Sequence, residues 1–326
     1  MDLANKDNLI GYLKKNGLWA RKGLSQNFLV DRNALEKIVG AGEIKSDDLV
    51  IEIGPGVGTM TGELVQKAGE VIAIEFDEKL AELLEQQFKI FNLKFKINDQ
   101  FKNLKGQNST VNQLSGSQIK SGMTNSALGM TTGAGLRIIN DDILKVNLNE
   151  IIGDCKYKVI ANIPYHITSK ILELFLSREN KPETMVLLVQ KEVAERVCAK
   201  PGEMSTLSVS VQLYGEPTIV DIVKKESFFP SPKVDSAILK IVVSSQSACR
   251  SDRLSVVSQE QEKDLFRLVH IGFASKRKTL VNNLSAGYHI PKEKASDIIK
   301  KAGLLENSRA QELGVGNWIE LLKLVD

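Results

Sequence analysis

Cysteine is scarce in this chain, with only Cys155, Cys198 and Cys249 in 326 residues, and no CxxC pair or Cys/His ligand spacing joins them. That excludes a disulfide framework and a zinc site, and it points to a reducing cytoplasm. Histidine is equally thin: His166, His270 and His289 lack a partner at metal or catalytic spacing, so they read as solvated or packed side chains. No stretch approaches the ~18 uninterrupted apolar residues of a membrane span. Met1–Leu18 mixes charges and has no apolar core, so it does not read as a signal peptide. A large excess of one charge is missing too. The net charge of +3 cannot by itself establish a nucleic-acid partner, so local clusters carry that question. No pattern signals dimerisation, and a monomer is expected.

What is present is an ordinary globular composition, 42% hydrophobic and 25% charged, long enough for a large domain and a small one. Short apolar runs at Leu49–Ile53, Val71–Ile74, Leu136–Ile139, Tyr157–Ala161, Met185–Val189, Thr206–Leu213 and Ala237–Val243 predict strands. Helical periodicity lies between several of them, after the N-cap residue Asp31, over 78–91, and at Thr168–Arg178 and Lys191–Ala199. Strands alternating with helices predict an α/β fold, a doubly wound and mostly parallel sheet. The last two runs, joined by a turn-rich stretch, suggest an antiparallel hairpin at one edge. Residues 98–135, crowded with Ser, Thr, Asn, Gln and Gly, read as a polar surface insertion. The predicted organisation is a catalytic domain over 1–244, a polar linker over 245–259, and a small all-helical domain over 260–326. In that last domain Phe266, Val269, His270 and Phe273 fall on one face.

Glu52-Ile53-Gly54-Pro55-Gly56-Val57-Gly58 leaves a strand and enters a helix, for which Thr59 is a candidate cap. Glycines at 54 and 56 allow a tight turn and close approach of backbone to ligand. The spacing is GxGxG, not the GxGxxG of dinucleotide binders, and Pro55 removes an amide that could serve a pyrophosphate. Glu75 follows Gly54 by 21 positions, at the end of the next strand, where a carboxylate can take both ribose hydroxyls of an adenosine. Asp142, after the strand Leu136–Ile139, could accept an adenine amino group. Taken alone, both are also what ordinary strand ends carry. An acidic, glycine-rich site suits the sulfonium of S-adenosylmethionine better than the phosphates of NAD.

Asn162-Ile163-Pro164-Tyr165 follows the strand Tyr157–Ala161. The exocyclic amine of adenine is a poor nucleophile because its lone pair is delocalised into the ring. The oxygen of Asn162 and the Ile163 carbonyl, turned outward by Pro164, can both accept from that NH2. Tyr165 offers a stacking face worth ~1–3 kcal/mol. Phe228-Phe229-Pro230-Ser231-Pro232 forms a rigid loop that could hold Phe228 opposite Tyr165, around an extruded base. A strand-ending turn and two core phenylalanines are the plainer alternatives. Pyrimidine carbon methylation would want a Pro-Cys nucleophile, which no cysteine here provides.

These stretches together resemble the ribosomal RNA adenine N6,N6-dimethyltransferase family, and within it the bacterial KsgA type. The likeness runs over Gly23–Leu29, Val50–Gly58, Val71–Leu84, Ile138–Leu144, Val159–Ile171, Met204–Tyr214, Phe228–Ile241 and Gly272–Leu284. It implies a Rossmann-like class I fold and S-adenosylmethionine as methyl donor, with no metal. Donor contacts are implied at Asn27, Leu29, Gly54, Gly56, Glu75, Asp142 and Asn162, with Tyr165 and Phe228 flanking the target base. The substrate it implies is two adjacent adenosines near the 3′ end of small-subunit rRNA, in a pre-30S particle. Phe228–Ser236 and Phe273–Leu280 look more like this type than the macrolide-resistance type acting on large-subunit rRNA. His166 departs from the pattern, standing where Asn is common after the tyrosine, and the 98–135 insertion is foreign to it. Phosphate contacts are expected at Arg21, Lys22, Lys276, Arg277 and Lys278, with Lys14-Lys15 and Lys224-Lys225 as further basic pairs. A noncatalytic nucleic-acid-binding relative of the same fold is the alternative from another class.

Overall fold

The computed structural model describes residues 1–19, 26–89, 135–243 and 259–325. The expected contacts Arg21 and Lys22, nearly all of the 98–135 insertion, the 245–258 linker stretch and Cys249 lie outside these residues. Seven strands form one sheet: β2 (Leu49–Ile53), β3 (Glu70–Glu75), β4 (Gly135–Asn140), β5 (Tyr157–Asn162), β6 (Thr184–Gln190), β7 (Gly215–Val223) and β9 (Ser236–Val243). Their spatial order is β4-β3-β2-β5-β6-β9-β7. The first five are parallel, and β9 runs antiparallel between β6 and β7. A second, two-stranded sheet pairs β1 (Phe28–Leu29) with β8 (Phe228–Phe229).

The inner parallel strands β2, β3, β5 and β6 are mostly apolar runs because helices cover both faces, whereas β4 at the edge stays partly exposed. On one face Ile51, Ile53, Val159, Leu187 and Leu239 share a core with α6 (Thr168–Leu176), α7 (Lys191–Val197) and α8 (Thr206–Gln212). On the other, Val50, Val71, Ile160 and Leu188 meet α2 (Arg32–Ala41), α3 (Thr61–Leu64) and a helix over 78–89, here α4. Asp31 caps α2 by accepting from the Ala34 amide at 3.1 Å. The N-terminal helix α1 (Lys6–Lys15) packs Leu9 and Leu13 against Val57 and Leu80, beside the glycine loop.

Helices α9 (Gln259–Phe273), α10 (Leu280–Tyr288), α11 (Lys292–Lys301) and α12 (Val315–Val325) follow β9. Their buried side chains, with Leu268, Leu284, Ile299 and Trp318 at the centre, belong to the same apolar cluster as the first sheet face. The inward face of α9 is Leu265, Leu268 and Val269, whereas His270 points to solvent.

Two elements correct the sequence reading. Thr206–Leu213, expected as a strand, is α8. Alternating Leu207, Val209 and Val211 imitates a period of two, but Ser205 and Ser208 form a reciprocal capping box that starts a helix. The edge strand is instead β7, whose Pro217 and alternately exposed polar residues disguised it. The antiparallel hairpin therefore exists, but between β7 and β9. Thr59 also fails as a cap: Met60 holds that position, without a side-chain hydrogen bond.

Candidate active site

The chain order of the sheet reverses between β2 and β5, so their C-terminal ends diverge and open a crevice. Ligands of open α/β sheets bind at such a point. A cavity of about 390 Å³ lies there, walled by the ends of β2, β3, β4 and β5 and by Gln26–Leu29. Asn27, Leu29, Gly54, Gly56, Glu75, Asp142, Asn162, Pro164 and Tyr165 all line it. Residues spread over 139 positions of sequence, from 27 to 165, thus meet around one volume.

The glycine loop works through its backbone. Gly54 and Gly56 have φ of 66° and 59°, in the left-handed region. A Cβ on Gly56 would stand 3.0 Å from the Phe28 ring. The Gly54 amide donates to the Ile74 carbonyl at 2.9 Å, which ties the loop to β3. Glu75 closes the other side. One carboxylate oxygen accepts from the Gly56 amide and the other from the Asp77 amide, both at 2.9 Å. Burial pushes its pKa up, and those two amides pull against the shift. Each oxygen keeps a lone-pair direction for a further donor. Asp142 accepts from the Leu144 amide at 3.0 Å, and its other oxygen lies 3.8 Å from the Lys145 ammonium.

On the acceptor side, Asn162 ends β5 and donates from Nδ2 to the Asn27 carbonyl at 3.1 Å. That bond orients the amide and leaves Oδ1 without a protein partner among the described residues. Pro164, at φ −58°, starts a single turn of 3₁₀ helix over Tyr165–Ile167. The Tyr165 hydroxyl meets Ser236 Oγ at 2.7 Å, fixing the ring to the start of β9. Burial raises the Tyr165 pKa, so the hydroxyl stays protonated at neutral pH.

Phe228 does not flank this volume. Its ring is 2% exposed, packed with Leu29, Leu35 and Ile38, and is not part of the cavity wall. Pairing of β8 with β1 turns Phe228 into the core and leaves Phe229 against the α1 cluster. Lys276, Arg277 and Lys278 are exposed in the α9–α10 turn. Lys224 pairs with Asp235 at 3.1 Å. The cavity is also lined by Phe76 and Lys170, which the sequence reading does not single out, by Glu52, quoted there only within the glycine motif, and by His166, read there as solvated or packed. Phe76 is 61% exposed at the rim, and its signal was an aromatic directly after the strand-end carboxylate. No group of three or more potential metal ligands occurs among the described residues.

A glycine loop after the first strand of this sheet, a buried carboxylate ending the second and a polar turn after the fourth define a class I methyltransferase fold. A family model for ribosomal RNA adenine dimethylase matches residues 17–105 and 121–326. The chain belongs to that family. It is 38% identical to ribosomal RNA small subunit methyltransferase A of Dehalococcoides mccartyi strain CBDB1, over 97% of this chain and 90% of that protein. The protein of the same name from Lachnoclostridium phytofermentans is 34% identical, over 94% and 91%. Among solved structures, a dimethyladenosine transferase from Plasmodium falciparum superposes with a TM-score of 0.63 at 24% identity, covering 90% of this chain and 95% of that one. The 23S rRNA methyltransferase ErmE gives 0.64 at 22%, covering 92% and 99%. These last two likenesses concern the fold.

Proposed function

We propose that the chain transfers methyl groups from S-adenosylmethionine to N6 of two adjacent adenosines near the 3′ end of small-subunit rRNA. The product is N6,N6-dimethyladenosine, made by a monomer on an assembling pre-30S particle in the cytoplasm. The observation that carries this reading is Asn162: one amide atom is tied to Asn27 while the other, an acceptor, is left open on the same cavity as Glu75 and the glycine loop.

The residues suit such a donor. Glu75 offers two buried carboxylate oxygens to a ribose diol, and a side chain on Gly56 would crowd the loop against Phe28. The exposed ring of Phe76 offers an apolar face to a purine, and Asp142 an acceptor for its amino group. Glu52, Glu75, Asp141 and Asp142 make the wall acidic, which favours a cationic ligand. When bound, the donor supplies an electrophilic methyl group on a sulfonium.

The protein's part is alignment. Asn162 Oδ1 accepts from the adenine NH2 and draws the nitrogen toward a pyramidal shape with its lone pair directed at the methyl carbon. The Ile163 carbonyl supplies a second acceptor, and the Tyr165 ring supports the base. No strong base is needed, because the methylated, ammonium-like nitrogen loses its proton readily to water. Orientation of this kind is worth ~7–11 kcal/mol of a barrier. The exposed Lys276-Arg277-Lys278 turn takes phosphates of the same particle, a contact weakened by salt. The test is incubation of under-methylated small subunits with labelled S-adenosylmethionine, followed by nucleoside analysis. Dimethyladenosine is the expected product. Label entering only large subunits would instead support the resistance-type reaction, and no label at all a noncatalytic binding role.

A further inference from the structure

The charged groups of the cavity wall are sorted by side. Glu52, Glu75, Asp141 and Asp142 come from β2, from β3 and from the turn after β4, whereas His166 and Lys170, the basic residues of the wall, both stand beyond β5. Both are exposed. Neither side chain has a hydrogen-bond or ion-pair partner among the described residues, although four acidic residues share their cavity. Other lysines in or just after these strands do have partners: Lys145 lies 3.8 Å from Asp142, Lys158 2.8 Å from Asp48 and Lys191 3.6 Å from Glu195. Lys170 is also placed against a local preference. It is the third residue of α6, whose first turn holds no acid and whose start has no side-chain cap. The helix macrodipole is positive there and disfavours a cation, unless an anion lies beside it. The tyrosine turn puts His166 four positions earlier on the same wall, where an imidazole N–H can donate to an oxygen in either charge state.

We propose that His166 and Lys170 form a phosphodiester subsite at the acceptor mouth of the cavity, taking the phosphate that adjoins the target adenosine. The inference rests on the reading of this cavity as the site of an RNA adenine methyltransferase. A base drawn in beside Asn162 and Tyr165 carries its own phosphate to the rim, because only the ribose separates the two. The acidic residues of the donor side repel that phosphate. The lysine ammonium attracts it as a point charge, and the imidazole adds a directed hydrogen bond to a non-bridging oxygen. The strand thereby enters with its backbone on the β5 side and its base edge turned toward the donor. His166 stands where asparagine is common in the family, so the imidazole contact is this chain's own.

The experiment is methylation of under-methylated small subunits by the full chain, with kcat/KM measured over a range of salt for wild type, Lys170→Gln, Lys170→Arg and His166→Ala. Lys170→Gln should lower kcat/KM about tenfold at low salt, as expected for one charge-assisted contact. Its plot of log kcat/KM against log salt should be shallower by roughly 0.7–0.9, the value of one phosphate neutralised. Lys170→Arg should keep most of the activity and the wild-type slope. His166→Ala should lower kcat/KM by about two- to tenfold, the range of one ordinary hydrogen bond. In all three variants the affinity for S-adenosylmethionine, read by calorimetry, should stay close to wild type, which a loss of folding would not allow. An unchanged salt slope in Lys170→Gln, or wild-type kcat/KM in His166→Ala, overturns the proposal, as does a parallel loss of donor affinity. If the wild type itself labels no small subunits, the reading as a small-subunit rRNA methyltransferase falls instead.

Discussion

The two halves of the cavity are satisfied to different degrees. On the donor side, Glu75 has a backbone amide on each oxygen, and the loop facing it is tied to β3 by the Gly54 amide. On the acceptor side, Asn162 is held by a single bond and keeps its oxygen open. A binding site gains from groups fixed in advance, because ordering them is not charged to the ligand. A site that must activate a weak nucleophile needs an acceptor that no protein group has claimed. The difference teaches where to look for chemistry: at the group that is oriented but unsatisfied.

Substitutions can break or sharpen this contrast. The largest effect is expected for Asn162→Ala. Turnover on under-methylated small subunits should fall by about 10²–10³, the cost typical of losing one aligned polar group. Donor affinity by calorimetry should change only a few-fold, and a large loss of affinity with unchanged turnover would reverse the roles of the two halves. Glu75→Ala should do the opposite. Loss of hydrogen bonds to a charged group, ~1.5–3 kcal/mol each, weakens donor binding by about 10–100-fold or more, read directly as Kd.

The basic turn is a third, separable contribution. In the triple variant Lys276→Ala, Arg277→Ala, Lys278→Ala, particle binding should weaken roughly tenfold at moderate salt. The slope of log K against log salt should become shallower by about 2–3, with donor Kd unchanged. An unchanged salt slope would remove this turn from the RNA interface. Smallest in its effect on activity is Phe228→Leu, which keeps a core apolar group. Turnover should stay within a few-fold of wild type, whereas Phe228→Ala should cost about 3–5 kcal/mol of stability in denaturant unfolding. A large drop in turnover for Phe228→Leu, with stability intact, would restore that ring to the base pocket.

Much of this arrangement was legible in the residues because the sheet writes itself plainly. Strands β2, β3, β5 and β6 are buried on both faces, so they stand out as apolar runs, and functional groups follow at their ends; β4, at the edge, is only partly buried and its run is short. Gly54, Glu75, Asp142 and Asn162 could therefore be placed on one edge before any coordinates. What the sequence hid has specific causes. In α8, β-branched and small residues alternate as in a strand, and only the reciprocal bonds of Ser205 and Ser208 decide for a helix. In β7, a proline and a bulge near the exposed Val220 blur the pattern of an edge strand. Which of two adjacent phenylalanines faces inward depends on the pairing of β8 with β1, a contact about 200 residues apart in sequence. Glu52 leaves a usable trace, a lone acid within the buried run Leu49–Ile53, but it also opens the glycine motif and so is easily counted with it.

The central claim is that the amide of Asn162 presents its oxygen to an adenine amine on the cavity that holds the donor. A crystal structure of the chain with S-adenosylhomocysteine and adenosine tests it most directly. N6 of the acceptor base should lie ~3 Å from Asn162 Oδ1, on the side facing the thioether sulfur. An acceptor base whose N6 points to solvent, or whose ring sits outside the wall formed by Asn162 and Tyr165, would contradict the account.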